Sequence, residues 1–174
     1  MVNNKLCVIL KDVHRQMKII KLIFIMVGLF ICLTGCKEPT DKRDFQDDKF
    51  KVGQMWKYNT RTGEENSTLT ILKVEKYDSA GPVIHIYVNG LKLKNTRLRS
   101  GFSDDIGHLP LSKEAVLKSV TTLVSEDNNL PDFKEGYNNW KEAFDNGEAG
   151  IFTITVKESI DVTEQTINQG TRTN

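Results

Sequence analysis

The sequence predicts an α+β domain, an antiparallel sheet of 4–5 strands with two amphipathic helices packed on one face, in the order β-β-β(-β)-α-α-β. Three observations lead there. Apolar and polar side chains alternate in short stretches between residues 52 and 94, the period of a half-buried strand. Between residues 112 and 144 the apolar spacing lengthens to three and four, the period of a helix. Alternation then returns over residues 150–156.

The first strand is carried by Val52, Trp56 and Tyr58, and residues 59–66 form a turn with Gly63 as its pivot. A second strand contains Leu69, Ile71, Leu72 and Val74, and residues 78–82 end it. Residues 83–88 are β-rich. Asn89 and Gly90 read as a two-residue hairpin turn, with residues 91–94 as the return strand. Ser112 is the N-cap of a helix with Val116, Val120, Leu123 and Val124 on its apolar face. A second helix starts at Asp132, with Glu135 completing a capping box, and its apolar face is Phe133, Tyr137, Trp140 and Phe144. Gly147 stops it in a left-handed conformation. Phe152, Ile154 and Val156 alternate as a last strand, which Ile160 and Val162 extend. Trp56 and Trp140 are both expected in the core. Residues 50–164 make a single domain, and residues 165–174 a polar tail.

The whole chain of 174 residues has 24 Lys and Arg against 23 Asp and Glu. Residues 1–35 hold Lys5, Lys11, Arg15, Lys18 and Lys21 against Asp12 alone, which leaves 19 basic and 22 acidic side chains in the remaining 139 residues. A mildly acidic domain is a poor partner for nucleic acid, and charge alone would not hold it to anionic lipid. The three cysteines are Cys7, Cys32 and Cys36.

The N-terminal stretch explains Cys36. Read from Met17, the chain runs through the basic residues Lys18 and Lys21 into a 12-residue apolar run, residues 22–33, then Thr34, Gly35 and Cys36. A membrane span needs roughly 20 apolar residues, so the run is too short to cross and fits a cleaved signal segment. Leu33, Thr34, Gly35 and Cys36 resemble the lipobox of bacterial lipoproteins. That resemblance implies diacylglycerol on the Cys36 thiol, cleavage before it, and acylation of the new amine. Residues 1–35 are then the signal peptide, and Met17 reads as its true start. One acyl chain holds a protein marginally and two or three hold it firmly, at ~0.8 kcal/mol per buried methylene. Lys37 stands where the family's inner-membrane retention signal is Asp, so the resemblance favours the outer membrane and a periplasm-facing domain. Residues 36–49, charged and with one aromatic, Phe45, read as a flexible tether.

The most suggestive chemistry lies in residues 100–108, read as a glycine-flanked loop holding Asp104, Asp105 and His108. Asp104 and His108 could share a divalent ion, or His108 could act as a base oriented by Asp105; aspartates that close turns account for the same residues more simply. Alternation sets His85 beside Val83 and Tyr87, as a partly exposed histidine on the face opposite Ile84, Ile86 and Val88. Lys92, Lys94, Arg97 and Arg99 form a basic stripe that guards a strand edge or meets an acidic partner or an envelope polysaccharide. Glu135 and Glu142 share a solvated helix face. No GxSxG, Walker A, HExxH or CxxC motif is present, and no motif requires a cofactor or metal.

Two functional classes follow. The first is a lipid-anchored envelope module without catalytic activity that supports a partner, binds a ligand or acts as an inhibitor or immunity protein. The second is an envelope hydrolase using His108 with Asp104 or Asp105.

Overall fold

The computed structural model describes residues 43–169. The chain divides into two units, Met1–Glu38 and Pro39–Asn174. The fold is that of the second, and the expected signal segment, Met17 and Cys36 lie outside the described residues. The elements are β1 (Arg43–Asp44), β2 (Gln54–Tyr58), β3 (Thr68–Tyr77), β4 (Gly81–Lys94), β5 (Phe102–Ser112), α1 (Lys113–Ser119), β6 (Val120–Glu126), α2 (Lys134–Asp145) and α3 (Val156–Gln169). Five strands form an antiparallel sheet in the order β5-β4-β3-β2-β6, and β1 pairs with the end of β3. The α+β class is as the sequence predicts.

The helices differ from expectation, because they cover both faces. On one face Ile84, Ile86 and Val88 of β4 and Leu69 and Ile71 of β3 form the main core with Ala115 and Val116 of α1 and Val156 and Ile160 of α3. The other face of β3, β4 and β5 lies under α2, whose Tyr137 and Trp140 rings meet the rings of His85 and His108. Trp56 lies in the core as expected, whereas Trp140 lies on this second face.

Each change of element has a local cause. Ser112 caps α1 as predicted, its side chain accepting from Ala115 N at 3.2 Å. The helix ends at Ser119 instead of running to residue 124, because Val120, Thr121, Thr122 and Val124 are β-branched and favour strand; they pair with β2 as edge strand β6. Residues 156–169, expected as strand and tail, are helix. Thr155 and Glu158 form the capping box that starts it: Glu158 Oε2 accepts from Thr155 N at 2.9 Å, and Thr155 Oγ1 from Glu158 N at 3.3 Å. Phe152 makes only an isolated parallel bridge to Leu111. The box expected at Asp132 and Glu135 is not formed; Asp132 Oδ1 accepts from Lys134 N at 3.2 Å. Gly147 does adopt a positive φ, 75°.

The Asn89-Gly90 pair is not a hairpin turn. It lies inside β4, with Gly90 at φ 77° and a register shift between Asn89 and Leu93, and the chain reverses instead over residues 95–101, where Asn95 N donates to Gly101 O at 2.8 Å. The expected loop 100–108 is therefore mostly strand β5. Residues 43–47, expected within the tether, are held to the domain. Arg43 and Asp44 pair with Lys76 and Glu75, Phe45 packs on the core, and buried Asp47 meets Lys113 Nζ at 2.6 Å.

A helical α3 separates Ile160, fully buried, from Val162, 41% exposed; in a strand they would share a face. Ile160→Ala is therefore expected to lose about 2–5 kcal/mol in urea denaturation, and Val162→Ala no more than about 0.5 kcal/mol. Equal losses would return these residues to a strand.

Candidate functional site

The second face owes its character to one extra residue. Between Ile71 and Lys73 the register of β3 against β4 shifts, so that Ile71 pairs with Ile86 but Lys73 with His85. This bulge at Leu72 reverses the alternation. Leu69 and Ile71 enter the main core, and beyond the bulge it is Val74 that does so. Lys73, Glu75 and Tyr77 are thereby turned to the opposite face, beside His85. On β5, Pro110 pairs with His85, and His108, two residues away, lies diagonal to it.

At the centre is Glu75, fully buried. Its carboxylate accepts from Tyr77 Oη at 2.5 Å and from Tyr137 Oη at 3.0 and 3.1 Å. Lys73 Nζ lies 3.0 Å from Oε1, and His85 Nε2 lies 3.3 Å from Oε2. Burying a carboxylate is tolerable only when donors surround it. Burial, then the bond to Glu75, raises the Tyr77 hydroxyl far above its ordinary value, so it stays a donor.

From Glu75 the polarity passes outward. His85 is fully buried, a correction to the partly exposed histidine expected, and its Nδ1 is 2.9 Å from His108 Nε2. The Glu75 carboxylate, 3.3 Å from His85 Nε2, favours the proton on that nitrogen by its charge, which presents a lone pair at Nδ1. His108 must then carry its proton on Nε2, which leaves Nδ1 as a lone pair with no partner among the described residues. This tautomer assignment combines the Glu75 charge beside His85 with the His85–His108 hydrogen bond. Burial first, and His85 second, push His108 down to about 4 from its ordinary 6.5, against the opposing pull of Glu75; the ring is therefore neutral at pH 7.

His108 lines a cleft of ≈ 610 Å³ between β5 and α2. Its walls include Leu109, Phe133, Trp140 and Phe152, and Asp132, Glu135 and Asn139 also border it. Trp140 Nε1 is satisfied by Gly150 O at 2.8 Å. Gly136 permits α2 to sit this close, since a Cβ there would lie 3.0 Å from His108 Cβ.

Asp104 and Asp105 do not join His108 in the arrangement expected. Asp105 accepts from Tyr87 Oη at 3.0 Å, and Asp104 is exposed; the carboxylate linked to His108 is Glu75, through His85. Among the described residues no group of three or more His, Cys, Asp or Glu side chains is arranged to hold a metal ion, and the nitrogens of His85 and His108 face each other instead of a common point. The basic stripe divides: Lys92 and Lys94 lie on β4, while Arg97 and Arg99 lie on the turn beyond it.

Glu75, Tyr77, Lys73 and Tyr137 were not singled out by the sequence. The chain has only three histidines, and two of them meet here, but residues 100–108 read as a loop gave no strand register to bring them together. The fold and site define an α+β domain with a buried carboxylate–imidazole–imidazole relay opening on a cleft. No protein-family model, curated protein or solved structure matches the chain.

Between pH 6.5 and about 4 the unfolded chain binds a proton at His108 that the folded domain refuses. The stability due to this group is fully present above pH 6.5 and is lost as pH falls toward 4. Urea titrations of wild type are expected to show the midpoint falling from pH 6.5 to 4.5, and His108→Gln to flatten that slope. An unchanged slope would contradict the burial of a neutral His108.

Proposed function

We propose that the chain is a lipid-anchored envelope protein whose globular domain is a binding module, with the cleft between β5 and α2 as its ligand site. The observation that carries the binding reading is a concave, aromatic-walled cleft into which one neutral, oriented imidazole is built. Clefts of this size, apolar with few placed polar groups, are where small ligands bind. The anchor rests on the lipobox resemblance at Cys36, and places the domain on the periplasmic side of the outer membrane if the host has one.

A second reading has one specific observation in its favour. The order Glu75, His85, His108 is that of a general base with its orienting groups, so the envelope hydrolase uses His108 with Glu75 in the role first given to Asp104 or Asp105. Its base would act on a water or hydroxyl held in the same cleft. p-Nitrophenyl acetate hydrolysis above the buffer rate, lost in His108→Gln, supports this reading; a rate equal to buffer argues for binding alone.

The anchor is tested by fractionation without detergent. Wild type is expected in the membrane pellet and Cys36→Ser in the soluble envelope or culture fraction. Wild type in the soluble fraction, with an unacylated N-terminus by mass spectrometry, would overturn the anchor.

A further inference from the structure

The chemistry bordering the cleft narrows the ligand class. This step rests on the reading of the cleft as a binding site. Among the described residues the charged side chains bordering it are Asp132 and Glu135, both acidic, and no Lys or Arg. Asp132 is already engaged by Lys134 N at the start of α2; Glu135 has no hydrogen bond or ion pair with any described residue. The His108 ring is neutral and offers an acceptor at Nδ1. The Trp140 N–H is occupied by Gly150 O, so its donor is not available to a ligand. Only the Asn139 amide contributes a side-chain donor. An acceptor-rich, negatively charged cleft repels an anion and leaves a neutral apolar ligand with unmatched polar groups.

We infer that the cleft binds a protonated organic amine with an apolar body. The ammonium donates to His108 Nδ1 and meets the field of Glu135. The apolar part lies against Phe133, Trp140 and Phe152, whose ring faces attract a cation. The relay from Glu75 strengthens the acceptor, because a donor bonded to His108 Nδ1 is stabilised by the negative carboxylate at the far end of the chain.

The test uses three probes of one shape on the full-length protein in detergent micelles at pH 7: 2-phenylethylammonium, 2-phenylethanol and phenylacetate. Binding is followed by the Trp140 indole and His108 imidazole resonances. The amine is expected to shift both, to bind more weakly as salt rises, and to bind about fivefold more weakly to Glu135→Gln. Glu135 is exposed, so that variant is expected to keep its fold, checked by an unchanged urea midpoint. If the alcohol or the acid shifts the same resonances as strongly as the amine, the cleft binds but the amine assignment is overturned. If none of the three shifts them, the binding reading itself falls and the amine assignment with it.

Discussion

A carboxylate with no solvent contact needs donors on every side, and Glu75 organises the second face of this domain for that reason. Its donors come from two elements, Lys73 and Tyr77 from its own strand and Tyr137 from α2, and His85 Nε2 of β4 faces it at 3.3 Å. Meeting its demand therefore docks α2 on the sheet. Removing one donor from such a group leaves charge unanswered, a loss of about 3–5 kcal/mol when a buried pair is broken. The same demand sets the proton positions on two imidazoles, and so makes His108 an acceptor at the cleft. Structure and chemistry share one cause.

The two faces of the sheet divide the work. One is apolar, with the side chains of β2, β3 and β4 sealed by α1 and α3. Ser119 couples those helices, donating to Ala115 O at 2.7 Å and accepting from Val156 N at 2.9 Å. At the far end Arg61 bonds Glu64, Asp161 and Glu164, and Glu64 accepts from Lys92 N at 2.7 Å, which fastens the 59–66 turn to α3 and β4. The other face is polar and aromatic. The bulge at Leu72 lets one strand serve both, since an unbroken alternation would bury Lys73 in the main core and turn Val74 outward.

The sheet was legible where its alternation was clean. Trp56 and Tyr58 marked β2, although Val52, expected on the same side of that strand, lies in the turn before it and is exposed, and residues 83–88 marked the centre of β4. Gly63 and Gly147 were legible because positive φ favours glycine. The rest failed for identifiable reasons. Gly90 satisfied the rule for a hairpin turn but sits in a bulge of a longer strand: a two-residue hairpin turn needs positive φ at Asn89, and here only Gly90 has it. Val120, Leu123 and Val124 fit a helical stripe by spacing, while their neighbours' β-branching and a free edge on β2 decided for strand. Residues 152–156 alternate, yet the Thr155–Glu158 box, which was there to be read, turns the chain into a helix. Of the candidate site, the sequence singled out His108 with Asp104 and Asp105, and the structure sets His108 beside His85. Asp104 and Asp105 were near in sequence, whereas Glu75 reaches His108 only through pairing of β3, β4 and β5, and the bulge that directs it leaves no mark in residue spacing.

The central claim is that a buried carboxylate fixes the protons on both imidazoles. Long-range ¹H–¹⁵N correlation of the histidine rings at pH 7 tests it most directly. The account predicts that His85 and His108 are both neutral with the proton on Nε2, and that Glu75→Gln abolishes this single pattern. A proton on Nδ1 of either ring in wild type, or rings that average between tautomers, would contradict it.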